Sequence, residues 1–142
     1  NVAHLRSRCV SAAQQTERLN VPLVRAPEKL KSVLEGWPSR RRLLFCDESG
    51  EGPPIAEVLA DFREIESLKR GGGQWAVLTG PEGGFSPTEL DALYKLPFAT
   101  ALGLGPRVLR ADTAALAALA CWQAILGDWH ERCRFESYPA ND

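Results

Sequence analysis

The sequence predicts an α/β fold, a mainly parallel sheet with helices on both faces, and three observations carry that expectation. Short continuous apolar runs at residues 43–46, 75–78 and 98–102 have the character of strands buried on both sides. Stretches with apolar residues at helical spacing separate them. A glycine-bearing loop and then a capped helix follow each of the last two runs, which is the order of elements in a parallel sheet.

Each element has its own signal. Over residues 4–18, Leu5, Cys9, Val10 and Ala13 recur at helical spacing with charge between them, so an amphipathic helix is expected, ending before Asn20. Residues 21–24 are expected to form a short strand. Pro27 opens a second helix over 28–35, stopped by Gly36 and the following Pro38. The buried strand 43–46 leads into a polar loop containing Gly and Pro, residues 47–54. Residues 55–69 show a helical pattern through Ile55, Val58, Leu59, Phe62 and Ile65. Gly71, Gly72 and Gly73 break that pattern and read as a flexible connection. After the second strand and the turn 79–85, Ser86, Pro87 and Glu89 announce a helix running to about Lys95. Serine caps free amides, proline suits the first helical position, and glutamate reaches back from the third. After the third strand, Asp112 or Thr113 is expected to cap a final helix that reaches Trp129. Its Ala, Leu and Trp content predicts burial of more than one face and hence a partner. Residues 1–130 are expected to form one domain, with a polar, loosely held tail over 131–142.

Composition narrows the function. The chain has 142 residues, 44% apolar and 25% charged, which suits one ordinary domain and excludes disorder and collagen-like repeats. No apolar run approaches the roughly 18 residues of a spanning helix. The net charge of −1 argues against binding nucleic acid by bulk positive charge. Its distribution is uneven, with nine basic residues against three acidic in residues 1–42, and eight against fifteen in the remainder. Arg6, Arg8, Arg18, Arg25 and the run Arg40, Arg41 and Arg42 are therefore candidates for a polyanion-facing side, set against the plain alternative of solvated helix faces. Cysteines 9, 46, 121 and 133 lack the spacing of a zinc half-site, and no metal is expected. Cys46 and Cys121 read as small core residues, and His4 and His130 as surface histidines. The chain begins at Asn1 and contains no methionine, so its first residue is not expected to be the native start.

Consecutive strand-to-helix loops of a parallel sheet emerge at its carboxyl edge, so the glycine loops after the second and third strands should face one crevice. Gly80, Gly83 and Gly84 on one side and Gly103 and Gly105 on the other allow backbone to approach a ligand closely. The helix start near Pro87 adds amide donors. A P-loop loses support, because Phe85 and Ser86 stand where lysine and a hydroxyl residue are needed. The dinucleotide fingerprint also fails, with Val108 in place of the third glycine. Glu82 would repel phosphate, which favours a ligand carrying positive charge or hydroxyl donors.

Three ordered segments carry a resemblance. Residues 78–90, centred on Gly80, Pro81, Glu82, Gly83 and Gly84, and residues 104–116, with Gly105, Pro106, Arg107, Val108, Leu109 and Arg110, are similar to the two signature segments of the ribosomal RNA small subunit methyltransferase E family. Residues 14–22 resemble that family's segment at a helix end, usually written with Ser or Cys followed by Gly where this chain has Thr16 and Glu17. The likeness covers roughly residues 5–129. It implies a SPOUT-type fold with a C-terminal deep trefoil knot, a cytoplasmic homodimer, S-adenosylmethionine as methyl donor, and methylation of N3 of a uridine in 16S small-subunit ribosomal RNA. It also implies an N-terminal RNA-binding β-barrel and a first strand and helix that this sequence does not include.

The resemblance places the cofactor against Cys46, Leu78, Thr79, Gly80, Pro81, Gly83, Gly84, Leu104, Gly105, Pro106, Val108, Leu109 and Ala114. Apolar Leu104, Val108 and Leu109 suit an adenine slot, and Glu82 suits a sulfonium. Methylation at N3 spreads negative charge over the flanking carbonyl oxygens, which the guanidinium of Arg107 or Arg110 can stabilise, with Glu82 as an alternative base. Arg6, Arg18, Arg40 and Arg41 are the candidate RNA contacts, and the apolar final helix is the candidate dimer surface. Two readings compete: a noncatalytic RNA-binding or ribosome-assembly module of the same fold, and a methyltransferase of the same superfamily acting on another RNA.

Overall fold

The computed structural model describes residues 1–67 and 73–131. Two compact units divide the chain, Asn1–Trp37 and Pro38–Asp142. The first holds α1 (Val2–Gln15) and α2 (Leu30–Glu35). The Asn1 side chain caps α1 by accepting from the Ala3 amide at 3.0 Å, which starts the helix two residues before the expected His4. The helix also stops early, at Gln15, because Thr16 turns its hydroxyl back onto the Ala12 carbonyl at 2.8 Å and Glu17 adopts φ +54. Residues 21–24 form no strand: Pro22 has no amide to donate, and no strand of this unit lies alongside. The second helix begins at Leu30 rather than residue 28, with no side-chain cap to extend it.

The second unit is built on a three-stranded parallel sheet of β1 (Arg41–Cys46), β2 (Gln74–Leu78) and β3 (Ala99–Leu102), in the order β2-β1-β3. Helix α3 (Ile55–Ser67) links β1 to β2, α4 (Pro87–Tyr94) links β2 to β3, and α5 (Ala111–Ile125) follows β3. The central strand is buried on both sides, which is why its sequence is apolar without alternation. Leu44 and Cys46 point to one face, where they pack with Val58 and Leu59 of α3, Leu102 of β3 and Ala118 of α5. Phe45 points to the other and meets Tyr94 of α4 edge-on at 5.2 Å. Helices therefore cover both faces, as the sequence predicts. At the amino end of β1 the Arg42 guanidinium lies 4.8 Å from the Phe62 ring centre and 5.7 Å from that of Trp75.

The end of β3 is held from two sides. Its Leu102 carbonyl accepts from the Asp47 amide at 2.9 Å, on the side of β1. Gly103, one residue on and so facing the opposite way in the pleat, donates to the Pro53 carbonyl at 2.7 Å and accepts from the Ile55 amide at 3.0 Å. The loop from β1 thus reaches past β3 to its outer edge. A Cβ on Gly103 would sit 2.7 Å from the Gly52 carbonyl oxygen, so only glycine allows this approach.

Most expected elements stand within two residues, and the departures have local causes. Helix α4 shows the full capping box, with Ser86 Oγ accepting from the Glu89 amide and Glu89 Oε2 from the Ser86 amide. Helix α5 is different. Neither Asp112 nor Thr113 caps it; Arg110 holds the cap position, and Asp112 accepts from the adjacent Thr113 amide from inside the first turn. The helix closes at Ile125, four residues short of Trp129, where the Gly127 amide bonds back to the Trp122 carbonyl. Ala114 and Ala118 are buried, while Leu116 is 70% and Leu119 48% exposed, so within this chain α5 does not bury its whole circumference. The triple glycine, apart from Gly73, and the tail beyond residue 131, with Cys133, lie outside the described residues.

Candidate active site

The carboxyl ends of all three strands open onto one cavity of about 730 Å³. Three loops line it. The loop after β1 contributes Cys46, Asp47, Glu48, Ser49, Gly50, Gly52 and Pro54. The turn after β2 contributes Thr79, Gly80, Pro81 and Glu82. The chain after β3 contributes Gly103, Leu104, Gly105, Pro106, Arg107, Val108, Leu109, Arg110, Ala111 and, from the first turns of α5, Ala114. Parallel pairing produces this convergence, because it points all three strands the same way.

The first loop is fixed by Asp47, which is 5% exposed. Burial alone would raise its pKa, but hydrogen bonds from the Tyr94 hydroxyl, from Ser49 and from the Gly52 amide outweigh that and hold the carboxyl below its ordinary value. The Ser49 amide donates to Asp47 Oδ1 at 2.8 Å and the Tyr94 hydroxyl to Oδ2 at 2.5 Å. Desolvation, reinforced by this bond and by the charges of Asp47 and Glu51, pushes the Tyr94 hydroxyl up to about 12. Burial likewise pushes the Cys46 thiol up to about 11, so at neutral pH it is a protonated wall rather than a nucleophile.

Glu48, next in the chain, reaches across to the second loop, where its Oε1 accepts from the Phe85 amide at 3.1 Å. The turn itself is closed by the Gly84 amide donating to the Pro81 carbonyl at 2.9 Å. Arg107 and Arg110 are both exposed on the third segment, Arg110 with Nε 3.7 Å from Asp112 Oδ1. That contact lies in solvent and does not tie the guanidinium firmly.

The structure therefore gathers Cys46, Thr79, Gly80, Pro81, Glu82, Leu104, Gly105, Pro106, Arg107, Val108, Leu109, Arg110 and Ala114 around one space. Leu78, Gly83 and Gly84 are not in the cavity wall: Leu78 ends β2, and the two glycines lie at the far side of the turn. Arg6 and Arg18 belong to the first unit and are exposed. Arg40 and Arg41 are exposed at the amino end of β1, roughly 17 Å of strand from the cavity edge. The contribution of residues 47–54 was not anticipated, although the rule that found the other two loops applies equally to the segment after β1. Among the described residues no cluster of His, Cys, Asp and Glu could hold a metal ion. None of the described helices is long and apolar enough to cross a membrane.

The profile of a family described as an RNA methyltransferase domain matches residues 1–123. The chain belongs to that RNA methyltransferase family. Its curated relatives include ribosomal RNA small subunit methyltransferase E of Bacillus subtilis, 33% identical over 76% of this chain and 41% of the relative. The protein of the same name from Rickettsia conorii is 28% identical over 84% of this chain and 46% of the relative. Among solved structures, ribosomal RNA small subunit methyltransferase E of Neisseria gonorrhoeae, bound to S-adenosyl methionine, superposes with a TM-score of 0.72 at 26% identity, covering 90% of this chain and 49% of that one. These relatives bear the family name that the three sequence segments imply. The chain spans about half the length of the curated relatives it matches.

Proposed function

We propose that this chain is the donor-binding and catalytic part of an S-adenosylmethionine-dependent methyltransferase that modifies N3 of a uridine in small-subunit ribosomal RNA. The observation that carries the reading is the single cavity at the carboxyl edge of the sheet, of a size to enclose a nucleoside, with apolar side chains and carboxylates in separate parts of its wall. Leu104, Val108, Leu109 and Ala114 supply apolar surface for a purine. Thr79, Gly80 and Gly105 bring backbone donors and acceptors close. Glu82 brings negative charge suited to a sulfonium. Bound there, S-adenosylmethionine supplies an electrophilic methyl group.

The chain's own residues handle the acceptor. Arg107 and Arg110 line the cavity, and a guanidinium is a planar donor fork suited to the charge that grows on the uracil carbonyls as N3 gives up its proton. Glu82 is the alternative proton acceptor, and holding nitrogen and methyl in line supplies much of the rate.

Three further parts of the reading rest on separate observations. A trefoil knot is supported by the loop after β1, which bonds the outer edge of Gly103 while the chain continuing from Gly103 leads to α5, packed on α3 and β2. Homodimerisation through α5 is supported by the exposure of Leu116 and Leu119. RNA contact by Arg6, Arg18, Arg40 and Arg41 is supported by their exposure and by the basic excess of residues 1–42. A cytoplasmic site of action accords with a ribosomal RNA substrate.

Titration calorimetry of the chain with S-adenosylmethionine tests the central claim. A dissociation constant in the micromolar range is expected. Absence of donor binding together with retained RNA binding would replace the enzyme with a noncatalytic RNA-binding module, and mass mapping of a methylated nucleoside other than N3-methyluridine would change the target.

A further inference from the structure

We propose that Glu48 is a positioning residue, a latch that fastens the glycine turn after β2 to the loop after β1 and so sets one wall of the cavity. The role deepens the methyltransferase reading and rests on it for its functional consequence. The base of the latch is rigid: the preceding residue, Asp47, is buried and bonded by Tyr94 and Ser49, and its own amide is tied to the Leu102 carbonyl. From that base the Glu48 side chain spans to the turn, where Oε1 accepts from the Phe85 amide at 3.1 Å.

The turn is shaped to receive it. Gly84 has φ +74, and a Cβ built there would overlap the Glu48 carboxylate. Glycine at this position therefore serves the backbone conformation and the approach of the acid at once. Immediately downstream, Ser86 and Glu89 close the capping box of α4, so the Phe85 amide sits between a fixed helix start and the latch. A carboxylate accepting from a backbone amide is a stronger tie than a neutral pair. Thr79, Gly80, Pro81 and Glu82, the part of this turn that lines the cavity, lie between β2 and this fastening point.

The bond needs an acceptor at the end of a four-atom side chain, and this separates latching from a purely charged role. Amide exchange at Phe85 reads the latch directly, without any ligand. Glu48→Ala should raise the Phe85 exchange rate about tenfold or more, Glu48→Gln should restore most of the protection, and the thermal midpoint should stay near that of the parent chain. Donor affinity, measured with S-adenosylmethionine, should fall about tenfold in Glu48→Ala and recover in Glu48→Gln. Gly84→Ala should bind the donor poorly, and adding Glu48→Ala should not weaken it further, because the overlapping partner has gone.

Unchanged Phe85 exchange in Glu48→Ala overturns the latch whatever the donor does. Equal loss of donor affinity in the Ala and Gln variants overturns it in favour of charge. If the parent chain binds no donor, the methyltransferase reading fails while the exchange measurement still decides the latch.

Discussion

Arg107 is the residue on which the proposed chemistry turns. It lines the cavity, is exposed, and makes no ion pair with another described residue, so its guanidinium is available to a developing anion. In a methyl-transfer-competent form of the protein, Arg107→Ala should lower kcat by about a hundredfold while donor affinity holds, checked by single-turnover assay beside calorimetry. Asp47 and Tyr94 each add a pH dependence to stability, one on the acid side and one on the alkaline side. The Asp47 pKa is depressed in the folded state, so its contribution is present above the ordinary carboxylate range and is lost as pH falls through the folded value. The raised hydroxyl of Tyr94 works in the opposite sense: its contribution is complete below the ordinary tyrosine value of 10.0 and is lost as pH climbs towards about 12. Denaturation against pH should therefore show a shallower acid limb in Asp47→Asn and a shallower alkaline limb in Tyr94→Phe. Glu17 offers a simpler test. It holds φ +54 where the resembling family usually has glycine, so Glu17→Gly should stabilise the chain by about 0.5–1 kcal/mol, read as a shift in urea midpoint.

At the scale of elements, legibility followed the source of each signal. Strand β1 was readable because a strand buried on both faces needs an unbroken apolar run, and α4 because Ser86, Pro87 and Glu89 write its start in local chemistry. Ser86→Ala should accordingly cost about 1 kcal/mol in thermal or urea unfolding. The end of α5 was not readable, since Trp122, Ile125 and Trp129 continue the apolar pattern while a carbonyl bond to Gly127 decides where the helix stops. Its start misled for a related reason: Asp112 is a good capping residue, but Arg110 is the last residue with extended backbone. Residues 21–24 looked like a strand by composition, yet a strand exists only where a neighbour supplies its hydrogen bonds. The site was legible in two of its three loops, because their glycines stand out. The third, 47–54, owes its place to pairing between Gly103 and the segment Pro53 to Ile55, a contact between residues about 50 positions apart that no local pattern announces.

On the scale of the whole molecule, one central strand organises everything else. Among the described residues, Leu44, Phe45, Leu59, Leu93 and Leu102 are the largest fully buried side chains; Leu44 and Phe45 belong to β1, and Leu59 and Leu102 pack with Leu44. Truncating Leu44 to Ala should cost about 2–5 kcal/mol, because it empties space bordered by α3, α5 and β3 together; equilibrium unfolding would measure this. The same architecture links binding to stability. A ligand touching the ends of all three strands braces the sheet as a unit, so at a hundredfold excess over its dissociation constant it should add about 2.7 kcal/mol to the unfolding free energy.

The shortness of β3 and the position of Pro53 and Pro54 beside it have one more effect. A border only four residues long gives an incoming chain few rungs to zip onto, and at its far end the outward groups of Gly103 are already spoken for by Pro53 and Ile55. Fibril-like stacking along this rim would find few donors, and a proline over its tip blunts what would otherwise be a sticky seam.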